Sequence, residues 1–144
     1  MKWVALVLWV LTAGGGFVML GLWMKNGGMA QSDQPGDRIR SARILSHFAL
    51  AAIGLVVWIV YVAADEDALA WIALALLAVV ALLGLSMLFI WLRQRQAVPA
   101  APAGAPGETV PAERSFPVPI VAGHGILAAT TLVLVLLTAV GVGD

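Results

Sequence analysis

The sequence contains no cysteine and very little charge. Without cysteine, disulfides, thiolate metal sites, covalently attached c-type haem and a cysteine nucleophile are excluded. Only 11% of the 144 residues are charged, whereas a soluble domain carries about 25%. The eight basic residues balance the eight acidic ones, so net charge gives no indication of a nucleic-acid partner, and none is expected.

Long hydrophobic segments account for most of the chain. Hydrophobic residues make up 62% of the sequence, and the mean hydropathy is +0.99. A helix needs about 20 apolar residues to cross a bilayer, and four segments meet that length: 3–24, 44–64, 68–92 and 116–142. Lipid cannot satisfy an open backbone, so each should be helical. The sequence predicts an all-α protein, an integral membrane four-helix up-down bundle forming a single domain over residues 1–144.

The connections between these segments set their arrangement. The first segment follows Lys2 but is longer than the hydrophobic region of a signal peptide and lacks a cleavage motif, so we expect a retained helix. The short 65–67 turn makes the second and third helices antiparallel neighbours. Residues 97–115 are rich in Pro, Ala and Gly, which predicts a flexible linker. Pro117 and Pro119 suit the start of a helix.

The basic residues lie almost entirely on one side of the predicted bundle. We call the side with both termini and the 65–67 turn side A, and the other side B. Side A carries Lys2 alone, whereas side B carries seven bases: Lys25, Arg38, Arg40, Arg43, Arg93, Arg95 and Arg114. The positive-inside rule therefore predicts a multi-pass protein of the cell (inner, cytoplasmic) membrane. The termini would lie outside, and loops 25–43 and 93–115 would be cytoplasmic.

Tryptophan is placed near the ends of the predicted helices. Indole rings prefer the interface between membrane and water. The residues concerned are Trp3, Trp23, Trp71 and Trp91. We therefore expect these four side chains to mark the two membrane surfaces.

The only two histidines, His47 and His124, lie within otherwise apolar segments. The second and fourth helices both run from side B to side A, so they are parallel. At about 1.5 Å per residue, the histidines lie roughly 5 and 10 Å below the side-B boundary. In an up-down bundle these helices occupy a diagonal, so the two imidazoles could ligate one haem b iron from opposite faces.

Glycine and arginine residues near the histidines suit the same ligand. Gly123 and Gly125 flank His124, and Gly21 and Gly84 lie in the same leaflet. These four glycines would leave room for a flat ring. Gly14, Gly15 and Gly16 form another site of close approach for a helix or a flat ligand. Arg43, one turn before His47, could pair with a haem propionate, and Arg40 is a second candidate.

Other uses of the histidines remain open. A membrane histidine can simply hydrogen-bond a neighbouring helix. A zinc site needs three or four protein ligands, and no Asp, Glu or Cys lies at the depth of His47 and His124. Methionines such as Met24 and Met87 could complete a soft copper site, although methionine in apolar helices usually fills space. A proton relay would need further ionisable groups along the path.

The layout resembles the four-helix haem bundle of membrane b-type cytochromes, and in particular the cytochrome b core of quinol-oxidising complexes. His47 and His124 match the ligand positions on one side of the membrane, and Gly21 and Gly84 match the glycines that lie against the rings. That family carries a second histidine pair further along the same helices. Here those positions hold Val60 and Tyr61, and Leu137 and Thr138. The resemblance therefore implies a single haem, and the predicted topology is inverted relative to the family.

Two functions follow as hypotheses. The first is a membrane-embedded b-type haem electron-transfer protein, or a subunit of a respiratory complex, with one haem ligated by His47 and His124 near the cytoplasmic face. A single haem near one face would need other membrane subunits, a quinone or another redox partner. The alternative is a haem-free accessory or scaffold subunit of a larger membrane complex, since spans rich in Ala, Gly and Leu suit close helix packing in the lipid bilayer. The sequence leaves open whether the chain is an enzyme, and no catalytic residue is identified.

Overall fold

The computed structural model describes residues 1–32, 34, 38–96 and 110–142. These residues form five α-helices and one short 3₁₀ helix. The helices are α1 (Lys2–Lys25), α2 (Gly28–Gln31), α3 (Ser41–Ala64), α4 (Asp67–Gln96), the 3₁₀ helix (Ala112–Ser115) and α5 (Val118–Ala139). Over the described ranges there is no strand, so the predicted all-α class is confirmed there.

The four long helices coincide with the four hydrophobic segments. They contain 24, 24, 30 and 22 residues, and each is long and apolar enough to cross a membrane. Helix α4 continues past the predicted end at residue 92 to Gln96. Its last turn contains Arg93 and Arg95, whose positive charges are favourable near the carbonyl end of a helix.

The ends of the long helices follow local sequence signals. Asp65 adopts a left-handed conformation with φ 58° and, with Glu66, forms the predicted tight turn between α3 and α4. Pro117 is the N-cap of α5, where a proline loses no helical hydrogen bond. Helix α5 ends at Ala139, earlier than the predicted residue 142, and Gly141 follows with φ 79°. Glycine adopts that conformation without a steric penalty.

The two long connections contain structure that the sequence did not predict. The first connection holds helix α2, one turn long, which follows the left-handed Gly27. In the second, residues 112–115 of the predicted flexible linker form the 3₁₀ helix, and its Glu113 is buried. These four residues pack against α1 and α4. Residues 97–109 lie outside the described ranges.

The long helices are arranged so that α1 and α4 each pack against both α3 and α5. At one end, the Lys2 side chain forms an ion pair with Asp65, joining the start of α1 to the turn between α3 and α4. At the other end, Asn26 Nδ2 donates a hydrogen bond of 3.1 Å to Ser115 Oγ, joining the end of α1 to the residues before α5. We call these the turn end and the loop end.

The main hydrophobic core lies towards the turn end. Its buried members come from all four long helices: Ala5, Trp9, Trp58, Tyr61, Ala70, Ala73, Leu77 and Val135. Trp9 and Trp58 pack with ring centroids 6.3 Å apart. Because these side chains interlock, the four helices are fixed relative to one another near the turn end.

The tryptophans at helix ends fall into two groups. Trp3 and Trp71 are exposed, as expected for residues at a membrane surface. Trp23 and Trp91, in contrast, are only 1% and 5% exposed. Both pack inside the protein near the loop end, because α2 and the 3₁₀ helix cover that end of the long helices.

Candidate functional site

His47 is held by helix α4. Its Nδ1 lies 3.0 Å from the backbone carbonyl oxygen of Val80. A carbonyl oxygen can only accept, so Nδ1 carries the proton and donates this bond. In a neutral imidazole the other nitrogen, Nε2, then has a free lone pair. The hydrogen bond therefore leaves His47 in the tautomer that can bind a metal through Nε2.

His124 is held by helix α1 in the same way. Its Nδ1 lies 2.9 Å from the carbonyl oxygen of Thr12, so Nδ1–H is again the donor and Nε2 again keeps its lone pair. Both acceptors are backbone carbonyls, which are available at every position of a helix. For that reason neither partner could be identified from the sequence.

The structure brings the two imidazoles together. Their ring centroids are 6.3 Å apart, and the ring planes are inclined by 53°. Both side chains are half-buried. His47 belongs to α3 and His124 to α5, the two helices that pack on either side of α1 and α4. The predicted separation of about 4 Å between ring nitrogens joined through a metal stays a prediction.

Three glycines make room for the imidazole rings. A Cβ atom added to Gly84 would lie 3.2 Å from Cε1 of His47. One added to Gly15 or Gly16 would lie 3.5 or 3.4 Å from atoms of His124. The histidines therefore lie directly against the backbone of the neighbouring helices. Gly84 was predicted to lie beside the site, and the Gly14–Gly16 run was predicted as a place of close approach.

The other predicted glycines are not in close packing. A Cβ atom added to Gly21, Gly123 or Gly125 would meet no other atom within 4 Å, apart from the immediate chain and helix backbone. Gly21 and Gly125 are exposed, and Gly123 is half-buried. These three positions thus have open space around them, in contrast to the three glycines that contact the histidines.

Both histidines lie in a layer of the helices where packing is looser than at either end. Fully buried side chains occur towards the turn end and towards the loop end. No residue is buried in the intervening stretches: 10–22 of α1, 41–53 of α3, 81–90 of α4 and 118–130 of α5. A close-packed layer of a helical protein buries its facing side chains. We call these four stretches the histidine layer, and they leave the imidazoles accessible between two well-packed regions.

The predicted arginines lie at the loop-end edge of the histidine layer, Arg43 just inside it and Arg40 just outside it. Arg43 is half-buried, one turn before His47, and Arg40 is the exposed N-cap of α3. Within the described part of the chain, neither guanidinium group has a hydrogen bond or an ion pair. Among the described residues, no acidic side chain offsets these two charges at the loop-end side of the histidines.

A buried polar cluster closes the loop end, and sequence reasoning missed it. Glu113 is 2% exposed, and its Oε1 accepts hydrogen bonds from the Ile39 backbone N–H at 2.8 Å and from Gln94 Nε2 at 2.7 Å. Nearby, Gln31 Oε1 accepts from Arg38 Nη1 at 2.9 Å. These bonds join α2, the start of α3, the end of α4 and the 3₁₀ helix. In the sequence, the only indication of this cluster was the acidic Glu113, which comes shortly before an apolar helix.

The set of possible metal ligands is small. Among the described residues, no three His, Cys, Asp or Glu side chains are grouped so that they could hold a metal ion. A structural zinc site uses four protein ligands and a catalytic site three, so the described groups do not suit bare zinc. Haem iron needs only its axial ligands from the protein, and a pair of imidazoles is sufficient for that.

Comparison with protein-family models, with curated proteins and with solved structures gives no match. The site must therefore be interpreted from its own geometry.

Proposed function

We propose that this chain is a membrane-embedded b-type haem electron-transfer protein or subunit, with one haem b held between His47 and His124. In this proposal the four long helices cross the membrane as an up-and-down bundle, and α3 and α5 occupy the diagonal. The chain either transfers electrons within a larger respiratory assembly or exchanges them with a quinone or another redox partner. The resemblance to membrane b-type cytochromes agrees with this function but does not carry it.

One observation carries the proposal: two imidazoles lie close together, with ring centroids 6.3 Å apart, and each has its Nδ1–H bonded to a backbone carbonyl. Metal-ligating histidines usually donate a hydrogen bond from the N–H of the nitrogen that does not bind the metal, which fixes the ring and increases its basicity. An imidazole nitrogen binds a metal at about 2 Å. At the observed centroid separation of 6.3 Å, the two rings are near enough for both to ligate one metal ion.

The surroundings of the two histidines also fit a haem. The histidine layer contains no fully buried side chain. The turn end and the loop end, in contrast, are filled by buried side chains. When bound, haem would supply reversible one-electron transfer at its iron. The tasks of the protein are to hold both imidazoles in one tautomer and to keep water away by the packing at each end.

Arg43 is the residue best placed to hold an acidic edge of the ligand. It lies one helical turn from His47 on the same side of α3, and its guanidinium group has no partner among the described residues. A guanidinium binds a carboxylate with two parallel hydrogen bonds. Arg40, further out and exposed, is a second candidate.

An absorption spectrum tests the haem proposal. We expect protein produced with an adequate haem supply to show a reduced-minus-oxidised b-type band, and His47→Ala or His124→Ala to abolish it, because each removes an axial ligand. Ile126→Ala is a matched control, since Ile126 lies near His124 but is 68% exposed. If the wild-type protein is folded and lacks the band, the haem proposal fails and the haem-free accessory subunit is the remaining function.

The orientation in the membrane rests on the distribution of basic residues. The proposal places the loop end, with its seven bases, in the cytoplasm and both termini outside. The chain has no cysteine, so a single introduced cysteine is the only target for a thiol reagent. A membrane-impermeant reagent added to intact cells should label Glu66→Cys in the turn and should not label Ala105→Cys in the long loop. The reverse pattern would invert the orientation.

A further inference from the structure

The indole N–H of Trp91 is buried without a hydrogen-bond acceptor. Trp91 is 5% exposed, and its Nε1 has no partner among the described residues. Indole nitrogen can only donate, and buried tryptophans usually direct this group to an acceptor. An unpaired buried donor is unfavourable, so this position is well suited to a ligand that brings an acceptor.

The position of Trp91 relates this donor to the histidine layer. Trp91 follows Gly84 by seven residues, which is about two turns or about 10 Å along the same face of α4. Gly84 is the residue that lies against His47. Trp91 is therefore at the loop-end border of the histidine layer. Arg43 comes one helical turn before His47, so it also lies on the loop-end side of that histidine.

The charge at this border favours an anionic acceptor. The Arg95 guanidinium lies 5.0 Å from the centre of the Trp91 ring. Arg43 adds a second positive charge on the opposing helix α3 and has no ion pair with a described residue. A hydrogen bond from a neutral donor to a charged acceptor is stronger than one to a neutral acceptor. A carboxylate near both cations thus satisfies the indole N–H better than a carbonyl would.

We infer that Trp91 is a positioning residue whose Nε1–H donates a hydrogen bond to a carboxylate of the ligand between His47 and His124. This inference rests on the proposed function, in which that carboxylate is a haem propionate. Trp91 and Arg43 then approach the propionate edge from helices α4 and α3, and the ring is oriented with this edge towards the loop end.

Binding of two ligands that differ only at the carboxylates tests the inference. Purified haem-free protein is titrated with haem and, separately, with haem whose two propionates are methyl esters. Loss of a hydrogen bond to a charged group weakens binding by about tenfold to a hundredfold. We expect Trp91→Phe to weaken haem binding by that factor and to change binding of the diester by much less. Trp71→Phe, on the exposed other end of α4, is the control and should leave both affinities unchanged.

Each result has a distinct consequence. If Trp91→Phe weakens both ligands by the same factor, or neither, Trp91 has no hydrogen bond to a propionate and the inference is overturned, while the proposed function stands. If the wild-type protein binds neither haem nor the diester, both the inference and the proposed function fail.

A second measurement needs no variant. The six tryptophans give separate indole N–H proton resonances, which can be followed with diamagnetic gallium protoporphyrin in place of haem. One resonance should move downfield with the free propionates relative to the diester. Identical indole spectra with the two ligands would contradict a hydrogen bond from Trp91 even if the variant does not fold.

Discussion

Gly84 and His47 are packed so closely that one added methyl group should disturb the pair. In Gly84→Ala the new Cβ would lie 3.2 Å from Cε1 and 3.7 Å from Nδ1 of His47. The first distance is shorter than an ordinary contact between carbon atoms, which is about 3.5–4.0 Å. The imidazole must therefore move by a few tenths of an ångström. Because Val80 lies one turn before Gly84 and accepts the 3.0 Å bond from Nδ1, this movement strains that hydrogen bond.

The energetic effect combines two opposing terms. Overpacking costs about 1–3 kcal/mol at a well-packed site, and the low end of this range applies to the half-buried His47 in the looser histidine layer. Alanine is in turn more favourable than glycine within a helix by about 1 kcal/mol. Gly123→Ala isolates the second term, since an added Cβ there meets nothing within 4 Å. We expect Gly84→Ala to be about 1 kcal/mol less stable than Gly123→Ala, the low end of the cost of overpacking.

Denaturant unfolding of the haem-free protein in detergent measures this difference directly. Haem titration of Gly84→Ala should show weaker binding than that of the wild-type protein, because His47 is an axial ligand in the proposal. If the two variants are equally stable, α3 and α4 can separate without cost, and the close contact between Gly84 and His47 does not hold the imidazole in place.

Two further predictions concern the loop end. Gly28→Ala should destabilise the protein by about 3 kcal/mol, because its Cβ would overlap the Trp23 indole, which is 1% exposed and cannot move aside. Thermal unfolding measures this loss. An unchanged unfolding midpoint would mean that α2 does not pack on Trp23. Glu113→Ala should cost about 2–4 kcal/mol, since it leaves two buried donors, the Ile39 N–H and Gln94 Nε2, without their acceptor. Both hydrogen bonds are accepted by Oε1 of Glu113, and the amide oxygen of glutamine can replace it. Glu113→Gln should therefore lose about half as much stability as Glu113→Ala, or less. Equal losses in the two variants would assign the effect to the charge of Glu113.

The number, length and type of the main elements could be predicted from the sequence. Runs of about 20 apolar residues have few alternatives to a helix, and the ends of these runs are marked by local signals such as Asp65, Pro117 and the polar residues after Lys25. The same counting placed His47 and His124 at similar depth, because depth along a helix depends only on residue number. These features depend on neighbours in the chain and are therefore readable from it.

The partners of the site residues depended on the tertiary structure. Nothing in the sequence distinguishes Gly84, which contacts His47, from Gly21, which contacts no neighbouring side chain within 4 Å. The acceptors of the two histidines are backbone carbonyls of Val80 and Thr12, and every residue of a helix has such a carbonyl. The rotation of each helix about its axis decides which of them is used, and apolar segments without a polar face give no indication of that rotation.

The sequence alone determined that this protein is built from four long apolar helices, and it predicted two histidines at similar depth in parallel segments, because hydropathy and residue spacing are local properties. Only the tertiary structure decided that Trp23 and Trp91 are buried beneath α2 and the 3₁₀ helix, and that Glu113 of the 3₁₀ helix faces the protein interior. A tryptophan at a helix end suits a membrane surface as well as a protein interior. The choice between them is made by short segments that fold back onto the helices, and their contacts join residues far apart in the chain.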